Sequence, residues 1–101
     1  MFCYLWEFIV APGSDEAFVA AYGPDGAWVR LFRRDPAYVR TELWRDADDP
    51  GRLVTMDCWR SRVAFQAFRA REAQAFADLD AACESFTESE RHLGDFETVD
   101  G

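Results

Sequence analysis

The apolar pattern opens with a run from Phe2 to Ala11 in which Tyr4, Trp6, Phe8 and Val10 point one way and Leu5, Glu7 and Ile9 the other. Period-two alternation of branched and aromatic residues predicts a strand, and apolar residues on both sides predict that both faces are covered. Pro12-Gly13 ends it. Ser14 suits a helix N-cap, and Asp15 and Glu16 follow where a helix start favours negative charge. Phe18 and Tyr22, four apart, share a face of this helix, which Gly23-Pro24-Asp25-Gly26 breaks. A second short helix turns Trp28, Leu31 and Phe32 inward and leaves Arg30, Arg33 and Arg34 outward or at its C-terminal end, until Asp35-Pro36 stops it. Alternation returns from Tyr38 to Arg45, with Val39, Thr41 and Leu43 on one face and Tyr38, Arg40, Glu42 and Trp44 on the other. The turn from Asp46 to Gly51 leads into a third strand, Arg52 to Trp59, and the two predict a hairpin.

The sharpest change of period lies just past Trp59. Phe65, Phe68, Phe76, Leu79, Cys83 and Phe86 recur at helical spacing, and Ser61 is placed to cap that helix. Glu72 falls on the apolar stripe and predicts a break between Arg71 and Gln74, or a polar group kept for use. A last strand is expected at about Asp95 to Val99. The order β-α-β-β-α-β, with a split first helix, packs as one antiparallel sheet carrying its helices on one face, an α+β ferredoxin-like plait spanning residues 1–101 as a single domain. The other sheet face would then be bare and apolar, too large a patch for a monomer, so a homodimer with sheets face to face is expected.

Composition sharpens this picture. Hydrophobic residues make up 50% of the 101-residue chain and aromatics 16%, so some aromatics should line a pocket or a subunit interface. The net charge of −8 disfavours nucleic acid and anionic membrane surfaces as partners. Cys3, Cys58 and Cys83, without a Cys-x-x-Cys, fit reduced core thiols in a cytoplasmic protein. The first apolar stretch lacks a basic leader and contains Glu7, so neither a signal peptide nor a membrane span is expected. His92, among Glu88, Glu90 and Arg91, reads as solvated. Asp46, Asp48 and Asp49 read as an acidic turn rather than a calcium loop, and no metal ligand set is expected.

Thr55, Asp57 and Trp59 share a strand face. They fit a pocket wall with a hydroxyl and a carboxylate beside an aromatic platform, and burial would raise the Asp57 pKa toward that of a useful base. The structural alternative is a core Trp59 with Asp57 paired to an arginine such as Arg40. Glu7, mid-strand among apolar neighbours, either meets an arginine or serves the site. Tyr22, Trp28, Tyr38 and Trp44 could line the same cavity, or simply pack.

Thr55-x-Asp57-x-Trp59-x-Ser61, followed by Ala64-Phe65-x-Ala67-Phe68, resembles the antibiotic biosynthesis monooxygenase superfamily of dimeric α+β barrels. Trp6-Glu7-Phe8-Ile9-Val10, the Pro12-Gly13 turn and Thr41-Glu42-Leu43 agree with it. The resemblance implies a pocket between sheet and helices that takes a small aromatic or apolar molecule. It also implies a possible oxygenation of an electron-rich aromatic substrate without a cofactor. Trp59 matches the family's strand-end tryptophan. Thr55 stands where some oxygenases of the family carry an Asn, and this chain has no Asn at all. Haem-degrading members use a His in the stretch comparable to Phe76-Ala77-Asp78-Leu79-Asp80, where none stands here, so haem is not expected. The expected catalytic residues are Asp57, Trp59 and Tyr38. The expected ligand-binding residues are Glu7, Tyr22, Trp28, Phe32, Thr55, Phe65 and Phe68. A non-catalytic binding or interaction module on the same barrel is the alternative, and a structural dimer with a collapsed core a third reading.

Overall fold

The computed structural model describes residues 1–100. Strand β1 (Phe2–Val10) is followed by helices α1 (Asp15–Tyr22) and α2 (Ala27–Phe32), the hairpin β2 (Tyr38–Arg45) and β3 (Arg52–Trp59), helices α3 (Arg62–Arg71) and α4 (Ala73–Cys83), a short 3₁₀ turn at Glu84–Phe86, and β4 (Thr87–Glu97). The strands form one antiparallel sheet in the order β2-β3-β1-β4. This is the expected ferredoxin-like α+β plait. The helical segments cover the face to which β1 turns Phe2, Tyr4, Phe8 and Val10, all buried.

The breaks fall where local chemistry puts them. Ser61 accepts the Ala64 N–H at 3.1 Å and starts α3. Glu72 separates α3 from α4, its backbone leaving helical geometry (φ −102°, ψ 27°), while Arg34 holds its carboxylate at 3.0 Å. Ser14 precedes α1, but its side chain accepts no capping bond. There Asp15 turns to Arg45 instead, at 2.7 Å.

Two expectations need correction. β4 begins at Thr87, not near Asp95. It is an edge strand whose first half is mostly exposed on both sides, so selection for burial leaves no alternation to read; its partner, β1, supplies the order. In β2, an irregularity between Tyr38 and Arg40 inserts one extra residue. Tyr38 therefore opposes Trp59 while Thr41 opposes Asp57 and Leu43 opposes Thr55. The bulge moves Tyr38 onto the helix-covered face beside Thr41, where simple alternation had separated them.

The opposite face of the sheet carries Leu5, Ile9, Val54 and Met56 at its centre, with Trp44 and Phe96 each about half exposed (52% and 51%). Glu7 lies on this face, not in the site. It is bound by Arg52 at 2.7 Å and Arg91 at 3.3 Å, and the hydrogen bond from Arg52 holds its carboxyl below the ordinary range. Cys3 and Cys58 stand directly opposite each other across β1 and β3 as free thiols. Among the described residues, no helix is long and apolar enough to cross a membrane.

Candidate functional site

A cavity of about 610 Å³ opens between sheet and helices, within the usual size range of small-molecule sites. Its floor is β1, whose two-residue period sets Phe2, Tyr4, Trp6 and Phe8 side by side. Tyr22 of α1, Trp28 and Phe32 of α2, Phe65 of α3 and Phe76 of α4 form its aromatic walls. The walls brace one another: Phe18 and Tyr22 stack at 4.5 Å, and Trp28 meets Phe76 edge-on at 4.8 Å.

Asp57 is the only buried carboxylate among the described residues, 8% exposed. Thr41 Oγ1 donates to its Oδ1 at 2.5 Å, and Tyr38 Oη donates to Thr41 at 2.7 Å. Oδ2 has no hydrogen-bond partner among the described residues, and Asp57 lines the cavity. Burial pushes its pKa up to about 6, with the Thr41 bond pulling the other way. The arginine partner considered as an alternative is not there: Arg40 opposes Cys58 and pairs with Glu42 at 3.1 Å. A carboxylate poised near neutral pH against aromatic walls can take a proton from a weakly acidic ring substituent or an activated C–H.

Tyr4 stands directly across from Asp57 in the β1–β3 register. Its hydroxyl accepts the Trp59 Nε1–H at 3.4 Å, and burial, then the neighbouring Asp57, keep the phenol well above its ordinary pKa and so protonated. Tyr4 can therefore donate a hydrogen bond into the cavity across the pH range where Asp57 is ionised.

Tyr22, Trp28, Phe32, Thr55, Asp57 and Phe65 line the cavity. Trp59 and Phe68 do not. Both are wholly buried, and Trp59 packs its rings against Phe32, Tyr38, Phe65 and Phe68 at 4.8–5.5 Å. Trp59 is thus a pillar behind the wall rather than a platform within it. Tyr38 also stands behind the wall, reaching Asp57 only through Thr41.

The lining residues that the sequence did not single out are Phe2, Tyr4, Trp6, Phe8, Phe76 and the polar rim. His92 is at the rim, its ring 5.1 Å from Trp6 and its Nε2 2.8 Å from Asp95 Oδ1. Its place depends on β4 starting early enough to set it opposite Trp6. Tyr4 was legible as sharing a strand face with Trp6, Phe8 and Val10, but its alignment with Asp57 needed the pairing of β1 with β3. The buried Trp28 Nε1 has no hydrogen-bond partner among the described residues. No three His, Cys, Asp or Glu side chains among the described residues gather as a metal site.

No curated protein is significantly similar in sequence. Solved structures are similar in fold. SnoaB, a cofactor-independent oxygenase from Streptomyces nogalater, is 24% identical with a TM-score of 0.74, the match covering 99% of this chain and 94% of that one. Rv0793 from Mycobacterium tuberculosis is 19% identical with a TM-score of 0.74, over 99% and 96% of the two chains. PA3566 from Pseudomonas aeruginosa is 17% identical with a TM-score of 0.72, over 98% and 94%. Residues 1–79 match the family model described as antibiotic biosynthesis monooxygenase, and with most of its length so matched the chain belongs to that family.

Proposed function

We propose that the cavity binds a flat, electron-rich aromatic molecule and that the protein oxygenates it with molecular oxygen and no cofactor. The observation that carries this reading is Asp57: a buried carboxylate with a pKa of about 6 and one free oxygen, set into an aromatic cavity. For an anthrone-like substrate, Asp57 removes a proton from the methylene beside the aromatic rings, and the carbanion passes electrons to O₂. One oxygen atom ends in the new carbonyl and the other in water, so the methylene supplies all four electrons. The protein contributes orientation between the rings, exclusion of water, the base, and a donor at Tyr4 toward developing negative charge on oxygen. Oxygen uptake over a panel of anthrones and hydroquinones tests the reading. Faster uptake than the buffer rate, lost in Asp57→Asn, supports it. Saturable binding without uptake favours the non-catalytic binding module.

The same proposal includes a homodimer. Leu5, Ile9, Val54, Met56, Trp44 and Phe96 make the helix-free face of the sheet apolar, and a second copy of that face is the cheapest cover for it. Leu5→Glu puts a charge at its centre. Sedimentation at micromolar concentration should show a dimer for the unaltered protein and a monomer for the variant. A monomer in both would end the dimer proposal.

A further inference from the structure

The helix-free face of the sheet carries two thiols that the cavity chemistry does not use. Cys3 and Cys58 face each other across β1 and β3, the two central strands. The ladder fixes what kind of rung they share. The Val10 N–H donates to the Gly51 carbonyl at 2.9 Å, so that rung is hydrogen-bonded, and the register continues unshifted from there to Phe2 opposite Trp59. Bonded and non-bonded rungs alternate, which makes Tyr4 opposite Asp57 a bonded rung and Cys3 opposite Cys58 a non-bonded one. At non-bonded rungs Cα atoms approach to about 4.5 Å and side chains draw together, inside the range that a disulfide spans. The pair lies outward of Leu5 and Met56, beside the last β1–β3 rung, at the margin of the apolar face and not its centre. The third thiol, Cys83, is buried on the other side of the sheet with Tyr22 and Trp28.

The two facing thiols are unequal. Cys58 is wholly enclosed, while Cys3 is partly exposed. Burial, then the Cys3 thiol beside it, pushes the Cys58 thiol up to about 12. That keeps Cys58 protonated and leaves the first encounter with an oxidant to Cys3. Arg40, opposite Cys58 on β2 and paired with Glu42, brings positive charge near both sulfurs.

We propose that Cys3 and Cys58 are a peroxide-responsive dithiol that closes reversibly to a disulfide across the two central strands. The Cys3 sulfur attacks one oxygen of hydrogen peroxide. The O–O bond breaks, the departing hydroxide leaves as water with the Cys3 proton, and Cys3 becomes a sulfenic acid. The Cys58 sulfur then attacks the Cys3 sulfur. The S–O bond breaks, and the second hydroxide leaves as water with the Cys58 proton. Two thiols give up two electrons, and one peroxide becomes two waters. The new bond falls one residue from both Tyr4 and Asp57, on the reverse side of the sheet, so it ties together the strands that hold these two cavity groups. The inference stands whether or not the cavity takes an aromatic ligand.

The test treats the reduced protein with a few equivalents of hydrogen peroxide, alkylates the remaining thiols under denaturing conditions and maps the peptides. The expected product is a Cys3–Cys58 disulfide within one chain, with Cys83 still alkylated, and dithiothreitol reopens it. Because the bond closes the chain from residue 3 to residue 58, the oxidised protein should melt roughly 10–20 °C above the reduced one. Peroxide should produce no such shift in Cys3→Ala. Thiols that stay free while glutathione treated in parallel is oxidised would overturn the inference. So would a Cys3–Cys3 bond between two chains, a sulfinic acid at Cys3 with Cys58 untouched, or an oxidised form that melts no higher than the reduced one.

Discussion

Under the proposed oxygenation, replacing Asp57 by Asn is expected to lower turnover by roughly 10²- to 10⁴-fold, the usual contribution of a positioned base, while making the protein more stable at pH 8. The two effects share one cause. Burial raises the Asp57 pKa from the ordinary 3.8 to about 6, so the fold favours the protonated form. The associated stability is fully present below about pH 4 and is lost as pH rises through 6. At pH 8 the fold holds a buried carboxylate at a cost of roughly 2–3 kcal/mol relative to the unfolded chain. Asn keeps an oxygen to accept from Thr41 and carries no charge. Denaturant midpoints at pH 4.5 and pH 8 should therefore show variant and parent close together at the lower pH, and the variant ahead at the higher. A variant less stable than its parent at pH 8 would mean that Asp57 is paired and not strained.

Trp59→Ala destabilises the domain rather than disarming it. The side chain is wholly buried among four aromatic rings, and truncating a Trp in such a place costs about 3–5 kcal/mol. For a domain of this size that lowers Tm by roughly 15–25 °C, a large share of a typical total stability of about 5–15 kcal/mol. Trp59→Phe is the informative companion. It keeps a ring in the pillar and removes the donor to Tyr4. Because Trp59 does not touch the cavity, kcat measured well below the variant's Tm should stay within about threefold, the scale of one long neutral hydrogen bond. A hundredfold loss would put the Trp59 ring back among the reacting groups.

The fold was legible because its signals are local. The period change after Trp59, the Ser61 cap, the polar Glu72 on an apolar stripe and the Pro-Gly turns each act within a few residues. The site was half legible for the complementary reason. Tyr22, Trp28, Phe32, Thr55, Asp57 and Phe65 follow from knowing which face of each element meets the helices. The rest depends on register between distant strands. Tyr4 faces Asp57 only through the β1–β3 pairing. A one-residue bulge brings Tyr38 round to Thr41. His92 reaches the rim only on an edge strand whose exposed residues carry no pattern. Glu7 shows the same limit from the other side: a mid-strand carboxylate reads equally as a site group or an ion pair until Arg52 and Arg91 are seen beside it.

Carboxyl ¹³C NMR of Asp57, titrated with and without a neutral tricyclic ketone such as xanthone, addresses the base and the cavity together. A midpoint near 6 in the free protein, rising further when xanthone displaces water from beside Oδ2, is the expected result. A midpoint near 4 that xanthone leaves unmoved would mean a solvated carboxylate and no aromatic site above it.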